Sequence, residues 1–504
     1  MFSYDGTLDL LFMKLLVRIF LGCLLFLSGC SNRIPSASGI EIPDAPLIKA
    51  VQDVEDLPLF EKTEWVPQEW WTIFNDDQLT DLINRALSNN PSLQSAKAKV
   101  YSALYRSDVQ RSYLYPNVYN EVDVQREKLS KTSLIPAQAS PPPVGVIPPV
   151  AVPIPFYFTQ YDFNFFLTYD FDLWEKRRNT YRAALGELQA SLADRIFTEL
   201  TVSISLAQSY FQLQTDRYRK ELTERLVQIR ENNLNLIKNR ITHNLDSNLN
   251  LYQTEDLLTA ARQTLSQRVQ SALHDELQVQ SYIGGEFDTE IESISIPNKA
   301  LPKVPLPNVL PLHLIAHRPD IISQLWMLES AGRQIKIAQA GFYPDFNLTT
   351  LLGFQTIHFK KLFEARSSVY DFEPAYTLPI FDGGLLTANL RGSEVNYDLA
   401  IFEYNQRVIN AVQEVLDALV IVKQSYIRLQ EARQDADIQR KALDLVKQRI
   451  KNNLSSLIDI HLSEETYITA LDNEAVALNN TFSAILNLIK ALGGGYDICE
   501  ENAS

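Results

Sequence analysis

The segment RITHNLDS occupies residues 240–247 and RIKNNLSS occupies residues 449–456, so the pattern Arg-Ile-x-x-Asn-Leu-x-Ser occurs twice at an offset of 209. A dipeptide also repeats, with Tyr-Pro at residues 115–116 and again at residues 343–344, an offset of 228. Offsets that persist over such distances are typical of an internal duplication. The 504 residues therefore predict one body built from two similar halves.

The two offsets differ because 228 − 209 = 19 residues must be extra in the first half. Residues 136–155 lie between the repeated patterns and contain eight prolines in twenty positions. Proline lacks the backbone N–H that helices and inner strands require. We interpret the extra length as a loop added to one copy of a shared unit.

Long helices are predicted in both halves, because neither glycine nor proline occurs in residues 187–283 or 393–492. Apolar residues in the second window recur in steps of three and four, which is typical of a coiled-coil seam. These seam residues are Ile468, Leu471, Ala475, Leu478, Phe482, Ile485, Ile489 and Leu492. At the helical rise, residues 385–450 predict a helix about 100 Å long.

Each helical window is interrupted once, at the repeated Asn-Leu-x-Ser. Asn244 and Asn453 tolerate the left-handed backbone conformation that reverses a chain. Asp246 and the serines of both patterns can cap the helix that follows. Each half therefore predicts a helical hairpin, at residues 176–283 and 385–492.

Four segments alternate apolar and polar residues, as a strand with one apolar face does. They predict strands at about residues 116–127, 160–172, 344–356 and 368–380. Each is near the length that a tilted membrane strand needs, and a small soluble sandwich packed on the helices is the alternative. The sequence thus predicts a mainly α fold with a membrane β-barrel portion.

Closure of such a barrel requires more than one chain, because the smallest membrane barrels need about eight strands. Two chains would supply eight strands with a filled interior. Three chains would supply twelve strands and room for a channel. The strands alone leave both stoichiometries open.

The N-terminus is typical of a bacterial export signal. Lys14 and Arg18 precede the apolar run Ile19–Leu27, which is too short to remain as a membrane span. The run leads into Leu-Ser-Gly-Cys, which resembles the lipobox, so Cys30 is the candidate lipidation site and outer-membrane lipid the expected contact. A signal peptide that happens to contain a cysteine is the alternative. Two aspartates in the first twelve residues favour Met13 as the true start.

Composition and motifs exclude several classes of function. The net charge of −15 argues against a nucleic-acid partner. The six histidines have no metal-binding spacing, and neither a phosphate-binding loop nor a hydrolase motif is present. Removal of the signal with Cys23 and lipidation of Cys30 would leave Cys499 without a disulfide partner. We expect no enzyme activity, no cofactor and no metal.

The chain resembles the TolC-like outer-membrane efflux proteins, in particular the lipoproteins that serve resistance-nodulation-division pumps. The resemblance covers nearly the whole mature chain. It rests on motifs that are individually weak and occur in the family's order. They are Trp70-Trp71-x-x-Phe74-x-Asp76, Arg318-Pro319-Asp320, Ala338-x-Ala340-x-Phe342-Tyr343-Pro344 and Leu378-Pro379-Ile380-Phe381-Asp382-Gly383-Gly384.

The resemblance implies a trimer with a twelve-stranded barrel in the outer membrane above a helical tunnel in the periplasm. It implies an exit duct for small molecules, with a periplasmic adaptor and an inner-membrane efflux transporter as partners. The rival hypothesis is a periplasmic adaptor or scaffold lipoprotein built of helical hairpins without a channel. Such an adaptor would lack the four strands. The exported substrate and the particular adaptor and pump are not specified by the sequence.

The periplasmic turns depart from the family pattern. The usual glycines are replaced by Asn244 and Asn453, and the Tyr–Arg latch of some members is replaced by Ile450 and Ser455. The acidic ring is represented by Asp459 alone.

Asp246 and Asp459 are therefore the candidate gate residues, with threefold symmetry bringing three copies of Asp459 around one axis. The alternative is that Asp459 caps the returning helix.

These predictions divide the chain into six segments. They are a signal peptide (1–29), a lipidated tether (30–75), a first repeat (76–285), an equatorial linker (286–318), a second repeat (319–495) and a C-terminal tail (496–504).

Overall fold

A computed structural model describes residues 45–54, 57–61, 65–128, 157–294, 296, 300–306, 317–452 and 454–496. The predicted signal peptide, Cys30, the proline-rich segment 136–155 and Asn453 lie outside the described residues.

Helices and strands of the described residues follow one another as a repeated series. The first half contains α1 (Ala45–Gln52), β1 (Phe60–Glu61), α2 (Asp77–Asn89), α3 (Pro91–Ser112), β2 (Asn117–Lys128), β3 (Tyr157–Phe171), α4 (Lys176–Thr242) and α5 (Asn248–Tyr282). The second half contains β4 (Val304–Pro305), α6 (Pro319–Ala340), β5 (Asp345–Thr356), β6 (Ser368–Thr377), α7 (Leu385–Lys451) and α8 (Leu457–Ala491). Short 3-10 helices occur at Trp70–Phe74, Phe359–Lys361 and Ala365–Ser367.

The helix lengths confirm the duplication. Helices α3 and α6 both have 22 residues, α4 and α7 both have 67, and α5 and α8 both have 35. The first pair is offset by 228 residues and the other two by 209 (319 − 91, 385 − 176 and 457 − 248). Between β2 and β3 the offset therefore changes, as the position of the prolines predicts.

The membrane-length strands form one antiparallel sheet in the order β2-β3-β5-β6. The central pair, β3 and β5, joins the two repeats, with Phe163 opposite Phe354 and Phe171 opposite Phe346. Strands β2 and β6 each pair on one side within the described residues. The sheet of one chain therefore has two open edges.

Helix boundaries follow local capping. The side chain of Asn90 accepts a hydrogen bond from the backbone of Ser92, and Pro91 begins α3 at a position where no N–H is needed. At the starts of the 67-residue helices, Asp172 accepts from the N–H groups of Arg177 and Arg178, while Asp382 takes the same part at α7. A carboxylate is favourable there because it faces the positive end of the helix dipole.

The apolar seam predicted for α8 is confirmed. All of its eight residues except Leu471, which is half-buried, are buried in the core. Helix α8 packs against both α7 and α4, so it also buries residues outside the seam, including Thr481 and Leu486. Phe211 of the first repeat stacks on Phe482 of the second, with ring centroids 4.4 Å apart. This contact lies at the centre of the core shared by the halves.

Residues 45–75 do more than the predicted tether would. Val54, Leu59, Trp70 and Phe74 are buried in the shared core. Strand β1 pairs in parallel with β4, which lies within the predicted linker. The apolar side chains of this segment pack on the helical core, so the part of it that the structure describes is folded.

Candidate functional site: the helical turns and the two faces of the sheet

The first turn joins α4 to α5 through the predicted asparagine. Asn244 has a φ of 55°, in the left-handed region. The N–H of Leu245 donates to the carbonyl of Arg240 over 2.8 Å, and Ser247 caps α5 by accepting from the N–H of Asn250. The carbonyls at the end of α4 are thereby satisfied, as a left-handed helix cap requires.

Asp246 is bound inside this turn. Its carboxylate accepts from Arg240 Nε at 3.0 Å, from the N–H of Ser247 at 2.9 Å and from the Asn250 side chain at 2.6 Å. Hydrogen bonds from Asn250 and Ser247, and then the nearby guanidinium, hold the pKa of Asp246 below its ordinary value. Asp246 therefore stabilises the turn instead of capping the helix.

The second turn repeats the backbone geometry and changes the side chains. The N–H of Leu454 donates to the carbonyl of Arg449 over 2.8 Å, as its counterpart does in the first turn. Ser456 and Asp459 form a reciprocal capping box, in which Asp459 accepts from the N–H of Ser456 at 2.8 Å. This hydrogen bond is the main cause of the lowered pKa of Asp459. The capping alternative for Asp459 is thus realised in the single chain, while its carboxylate remains exposed.

The two turns are held as ends of adjoining hairpins. Arg230 of α4 donates to Glu465 of α8 at 3.1 Å, in the halves of these helices that lead to the turns. Farther along the same helices, Arg219 binds Asp472 at two points, over 2.6 and 3.0 Å. These ion pairs link the repeats through partly buried charged groups and fix the register of α4 against α8.

The sheet has one apolar face and one acidic face. The register places Phe163, Phe165 and Leu167 on the apolar face, opposite Phe354, Leu352 and Thr350 of β5. The opposite face carries eight carboxylates and, within the four described strands, neither lysine nor arginine. These acids are Glu121, Asp123, Glu127, Asp162, Asp170, Asp345, Asp371 and Glu373.

Two of these acids are neutralised where the sheet meets the helices. Asp345 forms an ion pair with Lys176, and Asp170 forms one with Arg177. At this junction, Trp174 stacks on Tyr343 with ring centroids 4.7 Å apart. Amphipathic aromatic residues are enriched at membrane interfaces, so this ring pair fits the inner boundary of an apolar band.

The edge strands of the sheet and the outermost long helices lie on the same two sides of the chain. On the first side, β2 continues from α3, whose Tyr101 and Tyr105 are exposed. On the second side, β6 leads into α7, which exposes Val395, Leu399 and Phe402. Open strand edges and exposed apolar residues on both sides mark surfaces for further chains.

A buried carboxyl pair was not predicted from the sequence. Asp216 of α4 and Asp275 of α5 are 4 % and 8 % exposed. One oxygen of each, Oδ1 of Asp216 and Oδ2 of Asp275, accepts no hydrogen bond. Burial, and then hydrogen bonding and repulsion from Asp216, raise the pKa of Asp275 to about 7. A single shared proton would satisfy both oxygens.

No group of three or more metal-ligating side chains is placed to hold a metal among the described residues. No helix in that part of the chain combines the length and apolar content needed to cross a membrane.

Comparison with known proteins identifies relatives over nearly the whole chain. A family model described as outer membrane efflux protein matches residues 82–285 and 310–494. The chain is 26% identical over 499 residues to the multidrug resistance outer membrane protein MdtP of Escherichia coli, covering 96% of this chain and 97% of that protein.

Solved structures agree with this match. The outer membrane protein VceC of Vibrio cholerae has a TM-score of 0.72 at 25% identity, covering 86% of this chain and all of that one. The CmeC outer membrane channel of Campylobacter jejuni has a TM-score of 0.80 at 21% identity, covering 94% of this chain and 97% of that one.

Proposed function

The chain belongs to the outer membrane efflux protein family, and we propose that it is the outer-membrane exit channel of a tripartite efflux system. In this system it passes small molecules from a periplasmic adaptor and an inner-membrane pump to the exterior. The relatives named as multidrug resistance outer membrane proteins support efflux as the process. The proposal assigns the protein a conducting function and no catalytic one.

The observation that carries this proposal is the coincidence of sheet and helix edges. The free edges of β2 and β6 lie on the same two sides as the exposed faces of α3 and α7. Strand edges left unpaired in lipid are costly, because each unsatisfied backbone group finds no water there. Three chains joined edge to edge would close a twelve-stranded barrel and, below it, a helical tunnel.

The two faces of the sheet assign the lining of this barrel. The apolar face would contact lipid, and the acidic face would line the water-filled lumen. Of its eight carboxylates, Asp170 and Asp345 form ion pairs with cationic side chains where the sheet meets the helices. The others give the lumen a negative potential that favours cationic solutes.

The exit-channel proposal also explains the strands, which the rival adaptor hypothesis does not require. A scaffold of helical hairpins needs neither a sheet of membrane length nor the ring pair of Trp174 and Tyr343 where the sheet meets the helices. The helical hairpins are then the surface on which an adaptor would dock.

Native mass spectrometry and planar-bilayer recording test the proposal together. We expect a trimer in mild detergent and discrete, long-lived conductance steps after insertion. A stable monomer would contradict barrel closure, and a trimer that never conducts would favour the scaffold hypothesis.

Anchoring by lipid at Cys30 is a separate part of the proposal, supported by the Leu-Ser-Gly-Cys sequence. Several acyl chains hold a protein firmly, whereas one binds only marginally. Mass spectrometry of the mature N-terminus is expected to find acylated Cys30, with Cys30→Ser as the control that loses the added mass. An unmodified terminus at another residue would contradict the anchor and leave the channel unaffected.

A further inference from the structure

The loop between β5 and β6, residues 357–367, is an ordered element at the end of the sheet away from the helices. It consists of two short 3-10 helices. The carbonyl of Lys361 accepts from the N–H of Glu364 at 3.0 Å and from the Ser367 hydroxyl at 2.8 Å. Leu362 is buried beneath it. The loop therefore presents its remaining side chains in a defined arrangement.

Two phenylalanines of this loop lie against the apolar face of the sheet. Phe363 packs edge-on against Phe163 and Phe354, with ring centroids 5.6 Å apart in both contacts. Phe359 packs against Tyr161 with centroids 5.3 Å apart. Both phenylalanines remain more than half exposed, so their outer surfaces extend the apolar band at this end.

Cationic side chains occur in the same loop and at the neighbouring end of β2. The loop contains Lys360, Lys361 and Arg366, all exposed, and a single acid, Glu364, which pairs with Arg366 at 3.0 Å. Alternation along β2 puts Arg126 and Lys128 on the same apolar side, beyond Val124. The Lys128 ammonium lies 5.5 Å from the ring centre of Tyr157. We call Arg126, Lys128, Lys360, Lys361 and Arg366 the outer cationic rim.

Charge is thus sorted by face in a chain with a net charge of −15. The lumen face of the described strands carries acids and no base, whereas Arg126 and Lys128 lie on the apolar side of β2 and three more bases lie in the loop at the same end of the sheet. Within the described residues, Arg126, Lys360 and Lys361 have no carboxylate partner. Bases at the boundary of an apolar band attract anionic headgroups, and exposed aromatic rings position that boundary.

We propose that the outer cationic rim binds the phosphate groups of lipid headgroups with a net negative charge in the outer leaflet around each barrel wall. This inference rests on the proposed function, because that function places this end of the sheet at the cell exterior. The aromatic side chains favour lipid over a soluble phosphate compound, since Phe359 and Phe363 offer acyl chains a surface beside the bases. Three chains would form a ring of fifteen cations.

Native mass spectrometry of the full-length trimer with diphosphoryl lipid A tests the proposal. The triple variant Lys360→Gln, Lys361→Gln, Arg366→Gln removes the loop cations and leaves the lumen unchanged. We expect it to bind this lipid at least about tenfold more weakly, and we expect wild-type binding to weaken with salt. A control variant with Arg225→Gln, Lys238→Gln and Lys441→Gln removes three exposed cations from the helices and should bind as wild type does.

Two further measurements make the outcome decisive. Phosphatidylcholine should bind wild type and the loop variant equally, and inorganic phosphate should not displace lipid A. Equal binding of lipid A to wild type and loop variant would overturn the inference, as would displacement by free phosphate. Bilayer conductance is recorded in parallel. Equal lipid A binding by wild type and loop variant, with normal conductance, would overturn this inference alone, whereas wild-type protein without conductance would overturn the proposed function.

Discussion

Asp123 of β2 and Asp162 of β3 lie directly opposite each other on the acidic face of the sheet. Like charges at such a position destabilise a strand pair unless water or counterions screen them. Two charges at this position are tolerable if the face lines a water-filled lumen, because water and counterions then screen them. The pair therefore connects the register of one sheet with the ion preference of the assembled barrel.

The first prediction concerns this pair. Asp123→Asn combined with Asp162→Asn should reduce the cation-to-anion permeability ratio roughly twofold, because six charges leave the lumen of a trimer. Reversal potentials measured across bilayers in a salt gradient give this ratio. Asp53→Asn, which removes an exposed charge far from the sheet, is the control. An unchanged ratio in the double variant would place the acidic face outside the conduction path.

The second prediction separates the two functions of Asp459. Asp459→Asn keeps an oxygen that can accept from the N–H of Ser456 but removes the charge, whereas Asp459→Ala removes both. If three copies form a ring in the tunnel, both variants should weaken cation selectivity and block by divalent cations. If Asp459 acts only as a cap, the alanine variant should unfold at lower temperature and both variants should conduct as wild type does. Asp435→Asn, which removes an exposed carboxylate from α7 far along the chain from the second turn, is the control.

A third prediction follows from the glycines after α8. Gly493 has a φ of 90°, and a Cβ there would lie 1.9 Å from the carbonyl oxygen of His317. Gly493→Ala should therefore cost about 3 kcal/mol or more of unfolding free energy, from backbone strain and overlap together. Gly332→Ala is the control. Gly332 lies inside helix α6, and a Cβ there would make an ordinary van der Waals contact with Tyr397 of α7. The control should gain up to about 1 kcal/mol from helix propensity.

Chemical denaturation of the two glycine variants compares these values directly. Equal stabilities would mean that the segment after α8 can move away from His317. Gly493, Gly494 and Gly495 all have positive φ values, which fits the end of helix α8. The close approach of Gly493 to His317, at the end of the predicted linker, has no local signal in the sequence.

Features that depend on residues near one another in the sequence could be predicted from it, whereas features that depend on packing between distant segments could not. Helical hairpins and strands were predicted because periodicity, capping residues and turn residues act within a few positions of one another. The left-handed Asn244 is an example, since its neighbours supply the donors and the caps. The pairing of Arg219 with Asp472 could not be predicted in this way. It depends on the register of α4 against α8, which is set by packing between segments 253 residues apart.

The N-terminal segment illustrates the same limit. Residues 45–75 belong to the segment 30–75 that was predicted as a lipidated tether. Its buried side chains, such as Trp70 and Phe74, fill a space between the repeats that exists only after both hairpins have packed. Similarly, two aspartates 59 positions apart give no signal of a shared proton in the sequence.

The last prediction concerns that buried pair. The pKa of Asp275 is raised to about 7 in the folded chain, while an aspartate in an unfolded chain titrates near 4. Between these values the folded state binds the proton and the unfolded state does not. Stability from this group is therefore fully present below about pH 4 and is lost as pH rises through about 7. Asp275→Asn replaces the shared proton by an amide that donates at every pH.

The free energy of unfolding of Asp275→Asn should thus equal that of wild type at pH 5. At pH 8 it should be about 1 to 2 kcal/mol higher, because wild type then leaves buried carboxylate oxygens unsatisfied. Thermal unfolding followed by circular dichroism at both pH values gives the comparison. Asp256→Asn, exposed on the same helix, should change stability equally at the two values. Arg219 lies 3.5 Å from Asp216 and offers the ionised pair partial compensation. If the difference between Asp275→Asn and wild type is the same at pH 5 and pH 8, the two carboxyl groups share no proton, and this guanidinium suffices to hold both ionised.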